Sequence, residues 1–178
     1  SDVICRTDTT IILTIDKKQK MIKLTSLMRD SGVTIEGRSN IDKLTHSYAY
    51  GGVGLLINTI NNNYGLDIQR FAMFDFWSAA NLIDAVGGVE IEISQAEVRH
   101  LNDNLRDQMR MIGREGQANL INSAGLQTID GNQAIAWARI RALDSDIVRT
   151  SRQRTVMTAM IDQFSGARRT TLLSFINS

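Results

Sequence analysis

Proline is absent from all 178 residues, and cysteine occurs once, at Cys5. The first absence, in a chain of otherwise average composition, removes collagen-like and proline-rich disordered readings. One thiol cannot close an intramolecular disulfide, although a low cysteine count does not by itself fix the compartment. Free cysteine is commonly a small buried hydrophobe, so Cys5 is expected to be an inert side chain in a strand. Aromatic residues make up only 6% and the net charge is +1; both argue against a broad nucleic-acid-binding stripe. No run of apolar residues approaches the roughly 18 that a membrane span needs, and no signal-peptide pattern is present. The sequence nevertheless opens abruptly, with strand-like residues by Thr9. The expectation is a chain cut from something longer, with a membrane anchor upstream.

What is present is ordinary in amount. Hydrophobic residues account for 43% and charged residues for 22%, enough for one domain with a substantial core. Thr9–Ile15 is rich in β-branched residues and reads as a buried strand. A polar turn at 16–20 leads to a second strand over Met21–Leu27, forming an antiparallel hairpin. A short helix is expected from Asp42 to Tyr50, stopping at Gly51-Gly52, and another from about Gly54 to Asn62. Ile68–Phe74 reads as a strand. Asp75 then caps a helix that ends at Gly87-Gly88. Val89–Ile93 alternates apolar and acidic residues, as a half-exposed strand does, and Ser94 with Glu97 forms a capping pattern. Arg99–Asn122 is polar and methionine-rich, and its expected role is open, a flap over a groove being one option. Asp130 with Gln133 begins a helix ending near Trp137; Arg139–Arg141 reads as strand, and a long amphipathic helix covers about Ile147–Phe164. Strands alternating with helices predict a three-layer α-β-α sandwich around a mixed central sheet, as one domain over 1–178.

Arginine is concentrated where the rest of the chain is nearly neutral. Arg139, Arg141, Arg149, Arg152 and Arg154 fall within a stretch that contains no lysine. A planar guanidinium binds phosphate oxygens bidentately, which an ammonium does not. On a strand, Arg139 and Arg141 would share a face. On a helix beginning near Asp146, Arg149 and Gln153 are four apart and share one too. A helix start beside them would favour an anion. The competing reading is a solvated surface neutralised by Asp144 and Asp146.

Together with four other segments the cluster resembles the LytR-CpsA-Psr family of cell-wall glycopolymer transferases. The segments are Arg6-Thr7-Asp8-Thr9; Ser26-Leu27-Met28-Arg29-Asp30; Asp42-Lys43-Leu44 with Tyr48-Ala49-Tyr50-Gly51-Gly52; Leu82-Ile83-Asp84-Ala85-Val86-Gly87-Gly88-Val89; and Ala138–Arg141 with Asp146–Arg154. Met28 stands where the family usually has proline, and an earlier family aspartate precedes the first residue here. The resemblance implies an enzyme on the outer face of the cytoplasmic membrane, held by a single N-terminal span. It would move a teichoic acid or capsular polysaccharide from an undecaprenyl-pyrophosphate carrier to peptidoglycan. By the same resemblance Arg29, Lys43, Arg139, Arg141, Arg149 and Gln153 bind the pyrophosphate. Asp8 holds Mg2+ (or Mn2+) or serves as a base, and Asp8, Arg29 and Arg141 carry the catalysis.

Each of these residues has a plainer role open to it: Asp8 as a strand-end cap, Arg29 paired with Asp30, Lys43 paired with Asp42, and Arg6 orienting the acids. His46 and His100 lack zinc-like spacing and are expected to be ordinary surface histidines. A polyprenyl tail needs an apolar groove, for which Phe71, Met73, Phe74, Trp77, Leu82, Val156, Met157 and Met160 are candidates. Two other functions remain open: a hydrolase of the lipid pyrophosphate, and a non-catalytic regulatory module that binds it.

Overall fold

The computed structural model describes residues 7, 9–141 and 146–166. The chain is α/β and divides into two compact units, Ser1–Met73 and Phe74–Ser178.

In the first unit, β1 (Thr10–Asp16) and β2 (Met21–Leu27) form the expected hairpin, with Ile15 opposite Ile22 and Leu13 opposite Leu24. The turn is set by Asp16, whose Oδ1 accepts from the backbone N–H of Lys18 at 2.9 Å and of Gln19 at 3.0 Å. Side chains alternate across a strand, and the face carrying Ile12 and Leu27 packs on the unit's core. The opposite face, with Leu13, Ile15 and Ile22, is exposed, so β1 is half-covered rather than buried. β3 (Gly32–Thr34) and β4 (Ile41–Lys43) pair antiparallel. At three residues each they are too short to register as an alternation. α1 (Leu44–Tyr64) is two helical segments joined at Gly51-Gly52, where Gly52 takes φ 64°, and it ends on Gly65 in the left-handed region. Val33, Ile35, Leu44, Leu56 and Ile60 form the core.

Ile68–Phe74 is not a strand. The side-chain amide of Asn61 takes both backbone groups of Ile68, accepting from its N–H at 2.8 Å and donating to its carbonyl at 2.9 Å. One amide thus replaces the first rung of a ladder, and the exposed Phe71, Met73 and Phe74 follow.

In the second unit, α2 (Phe76–Ala85) starts at Asp75, whose Oδ1 accepts from Ser78 N–H at 2.7 Å. β5 (Val89–Ile93) buries every second residue, as its alternation predicts. It pairs antiparallel with β6 (Gly125–Ile129), a strand the sequence analysis does not mark. α3 (Gln95–Met111) starts at the Ser94–Glu97 cap and runs into the polar stretch Arg99–Asn122. α4 (Gly131–Ala138) begins with the reciprocal Asp130–Gln133 cap, 2.8 Å in each direction. α5 (Asp146–Gly166) packs on β5 and α4. Ile83, Ile91, Leu101, Ile129, Trp137, Ile140 and Met160 are among the core residues.

Arg139–Arg141 is not a strand either. Arg139 closes α4 in a helical conformation (φ −94°, ψ −1°), and Ile140 N–H donates to Trp137 O at 3.1 Å. Ile140 is fully buried, so hydrophobic anchoring at the helix end sets this backbone. The mixed central sheet of the expectation is represented, among the described residues, by three two-stranded antiparallel ladders.

Candidate functional site

Three of the sequence segments meet in the first unit at the start of α1. The turn after β2 places Arg29 and Asp30, and its carbonyls receive the first N–H groups of the helix. Leu44 donates to Ser31 O at 2.9 Å, and Thr45 donates to Arg29 O at 3.0 Å. Those N–H groups have no partner within the helix, so the turn fixes both its own backbone and the helix entry. The Thr45 hydroxyl donates to Thr7 O at 2.9 Å, which ties in the segment that carries Asp8. Asp8 itself lies outside the described residues.

Asp30 gathers the two cations. Its Oδ1 is 2.9 Å from Lys43 Nζ and its Oδ2 is 3.6 Å from Arg29 Nε. Lys43 is therefore paired with Asp30 and not, as its sequence neighbour suggests, with Asp42. The pairing of Arg29 with Asp30, one of the plainer alternatives, is present as well. Lys43 and Asp30 are exposed, so their pair is solvent-screened, whereas Arg29 is half-buried and its Nε is shielded from solvent.

Asp42 instead organises the first turns of α1. Its Oδ1 accepts from Lys43 N–H at 2.7 Å and faces His46 Nδ1 at 2.7 Å; its Oδ2 accepts from the Tyr50 hydroxyl at 2.8 Å. The Lys43 N–H, the Tyr50 hydroxyl and His46 hold its pKa at about 2. His46 is thus not the ordinary surface histidine expected from its spacing. The available signal was the interval of four between His46 and Tyr50, which share a face of α1, with Asp42 four residues earlier on β4.

The second unit carries the remaining arginines. Arg139 is half-buried, with its guanidinium 4.7 Å above the Phe76 ring, a cation–π contact. Arg141 is exposed. Arg149 and Arg152, three apart on α5, are each only 7% exposed, and Gln153 is half-buried one turn from Arg149. Arg152 has a structural task. Its Nε donates to Glu97 Oε1 at 2.8 Å, and its Nη1 lies 3.4 Å from Ile140 O. It therefore braces the segment that carries Arg139 and Arg141. Burial pushes the Glu97 carboxyl up, but hydrogen bonds from the Ser94 backbone and hydroxyl and from Arg152 outweigh it, leaving the pKa below its ordinary value. Asp144 lies outside the described residues.

Of the apolar candidates, Val156 and Met160 are core, and Leu82 and Met157 pack against the same cluster. These four fill space within the second unit. Trp77 is half-buried, while Phe71 and Met73 are 59% and 62% exposed. Two residues of the family-like segment Leu82–Val89 prove structural. Asp84 Oδ1 accepts from Gly131 N–H at 2.7 Å, and Gly88 takes φ +89° where a Cβ would meet Ile129 O at 2.7 Å. Among the described residues no group of three His, Cys, Asp or Glu is placed to hold a metal. No described helix is long and apolar enough to cross a membrane.

Comparison with known proteins joins these observations. TagU of Halalkalibacterium halodurans, a polyisoprenyl-teichoic acid–peptidoglycan teichoic acid transferase, is 34% identical over 160 residues, covering 89% of this chain and 47% of that protein. TagT of Bacillus subtilis, of the same description, is 29% identical over 158 residues, covering 89% and 46%. This chain thus spans about half the length of the curated relatives it matches. The crystal structure of B. subtilis TagT superposes with a TM-score of 0.75 at 27% identity, over 90% of this chain and 61% of that one. A structure of TagT with bound octaprenyl pyrophosphate lipid gives 0.72 at 27% identity, over 90% and 60%. The LytR_cpsA_psr family model matches residues 2–177, and the chain belongs to that family.

Proposed function

We propose that this chain is the catalytic domain of a phosphotransferase that moves a glycopolymer, of teichoic acid or capsular polysaccharide type, from a polyprenyl-pyrophosphate carrier to peptidoglycan. The observation that carries the reading is the gathering of the half-buried Arg29 and the exposed Lys43 on Asp30 beside the start of α1, two cations from separate segments. The named relatives and the lipid-bound TagT structure support the same substrate class. The location that goes with it is the outer face of the cytoplasmic membrane, on an N-terminal anchor.

A pyrophosphate diester resists attack by an uncharged alcohol because its oxygens are negative. Arg29, Lys43, Arg139, Arg141, Arg149 and Gln153 are the groups proposed to spread that charge and stabilise the bridging oxygen as it leaves. Arginine suits the task through its bidentate fork. The buried Arg152–Glu97 pair keeps Ile140, and with it the two flanking arginines, in place.

A divalent ion fits this chemistry. The Asp8 carboxylate and the substrate phosphates would be hard oxygen donors, and Mg2+ is commonly held by one or two carboxylates with substrate phosphates completing its shell. Asp8, directly after the anchored Thr7, is the residue proposed to hold it. When bound, Mg2+ (or Mn2+) would supply further neutralisation of the diphosphate.

Arg141→Ala should weaken binding of a short-chain polyprenyl pyrophosphate by about 1.5–3 kcal/mol, the scale of a charge-assisted hydrogen bond. Titration calorimetry measures this, and unchanged affinity removes Arg141 from the site. Asp8→Ala separates the functional readings. A transferase or a hydrolase should keep affinity and lose turnover, whereas a binding module should be unaffected. Adding a peptidoglycan acceptor then distinguishes transfer from release of the free phosphorylated glycan.

A further inference from the structure

The first unit holds an arrangement that the phosphate-binding residues do not use. Asp42, on β4, lies between Lys43 and the imidazole of His46. One of its oxygens is shared by the Lys43 N–H and His46 Nδ1, and the other is held by Tyr50. With its pKa at about 2, the carboxylate is an acceptor only at neutral pH. The proton of the 2.7 Å contact therefore sits on His46 Nδ1. In the neutral ring this leaves the lone pair on Nε2. A carboxylate that fixes the tautomer and orientation of an imidazole is how a histidine is prepared for general base work.

The surroundings are equally specific. Asp42 faces the ring from β4, and Tyr50 faces it from the next turn of α1, with ring centroids 5.9 Å apart. The Arg38 guanidinium lies 3.8 Å over the Tyr50 ring. The His46 side chain keeps 23% exposure. Contacts also run from the ring to the phosphate-binding pair. Lys43 shares Asp42 with His46 through its backbone, and shares Asp30 with Arg29 through its ammonium.

We infer that His46, oriented by Asp42, is the general base that takes the proton of the acceptor hydroxyl; the inference rests on the transferase reading. The hydroxyl oxygen attacks the glycan-bearing phosphorus. The bond from that phosphorus to the bridging oxygen breaks, and polyprenyl monophosphate leaves with the electron pair. The hydroxyl proton passes to His46 Nε2. Atoms and charge balance with no further reactant. The division of labour is physically sensible, because cations lower the charge on the electrophile while the imidazole raises the nucleophilicity of the alcohol.

The test uses the whole protein with a polyprenyl-pyrophosphate-linked glycan and a peptidoglycan acceptor. His46→Gln should lower kcat by about 100-fold or more and leave the affinity for polyprenyl pyrophosphate unchanged. Asp42→Asn removes the carboxylate that orients the ring, so kcat should fall while the affinity for polyprenyl pyrophosphate holds. Wild-type turnover by His46→Gln overturns the base while leaving the transferase reading standing. Loss of pyrophosphate binding together with turnover assigns the ring a structural role and overturns it too. A wild-type protein that binds the lipid but transfers nothing removes both readings.

Discussion

At the residue scale, the most informative contrast is between two acids that hold arginines. Asp30 sits at the surface, where ion pairs typically contribute about 0–1 kcal/mol. Asp30→Asn should accordingly shift the urea-unfolding free energy by no more than about 0.5 kcal/mol, whatever it does to phosphate affinity. Glu97 and Arg152 are buried together. Removing one partner strands the other in a low-dielectric interior, so Glu97→Ala should cost about 3–5 kcal/mol in the same measurement. That is a large part of the ~5–15 kcal/mol by which domains are stable. The folded-state pKa of Glu97 lies below its ordinary value of 4.5. Its contribution is therefore complete above that value and is lost as the pH falls through the lowered one. In wild type, unfolding free energy should decline over that acidic range, and in Glu97→Gln the decline should be shallower.

At the scale of elements, close approach between helices explains a glycine that a motif alone would pass over. A Cβ on Gly131 would lie 2.0 Å from Ala80 O, at the contact of α4 with α2. Gly131→Ala should destabilise by about 3 kcal/mol through backbone displacement. Gly54, within α1, has open space around its Cβ position. Gly54→Ala should stabilise by about 0.5–1 kcal/mol through helix propensity and reduced unfolded-state entropy. Opposite signs at two helical glycines, read from thermal melts, check the packing directly. Asparagine is the other recurring device. Asn61 pairs with both backbone groups of Ile68, Asn63 with those of Thr34, and Asn102 with those of Ile121. Each amide stands in for one rung of a strand, at Thr34 in addition to its β4 partner and at Ile68 and Ile121 in segments outside any described ladder.

At the scale of the whole molecule, a single cysteine leaves stability to burial and polar pairing. The melting temperature should not change when a reductant is added to the monomeric protein, and a reductant-dependent shift would reveal an intermolecular disulfide. Each unit has its own core. Arg29 and Lys43 belong to the first unit, and Arg139, Arg141, Arg149 and Gln153 to the second.

The sequence by itself determined what depends on near neighbours. The hairpin, the caps at Asp75 and Asp130, the alternation of β5, the break at Gly51-Gly52 and the long α5 all follow from patterns within one turn or one strand, and all are present. The same ordered motifs were sufficient to recognise the family. Only the tertiary structure decided what depends on distant partners. Asn61 took the pairing that Ile68–Phe74 needed to be a strand, and the buried Ile140 held Arg139–Arg141 in a helix-ending turn. Asp30 claimed Lys43 and so released Asp42 to orient His46. Glu97 reached across 55 residues to make Arg152 a brace instead of a ligand-binding group. Periodicity is local, whereas a charge or an amide binds whichever partner the folded chain brings within 3 Å, and no local pattern encodes that choice.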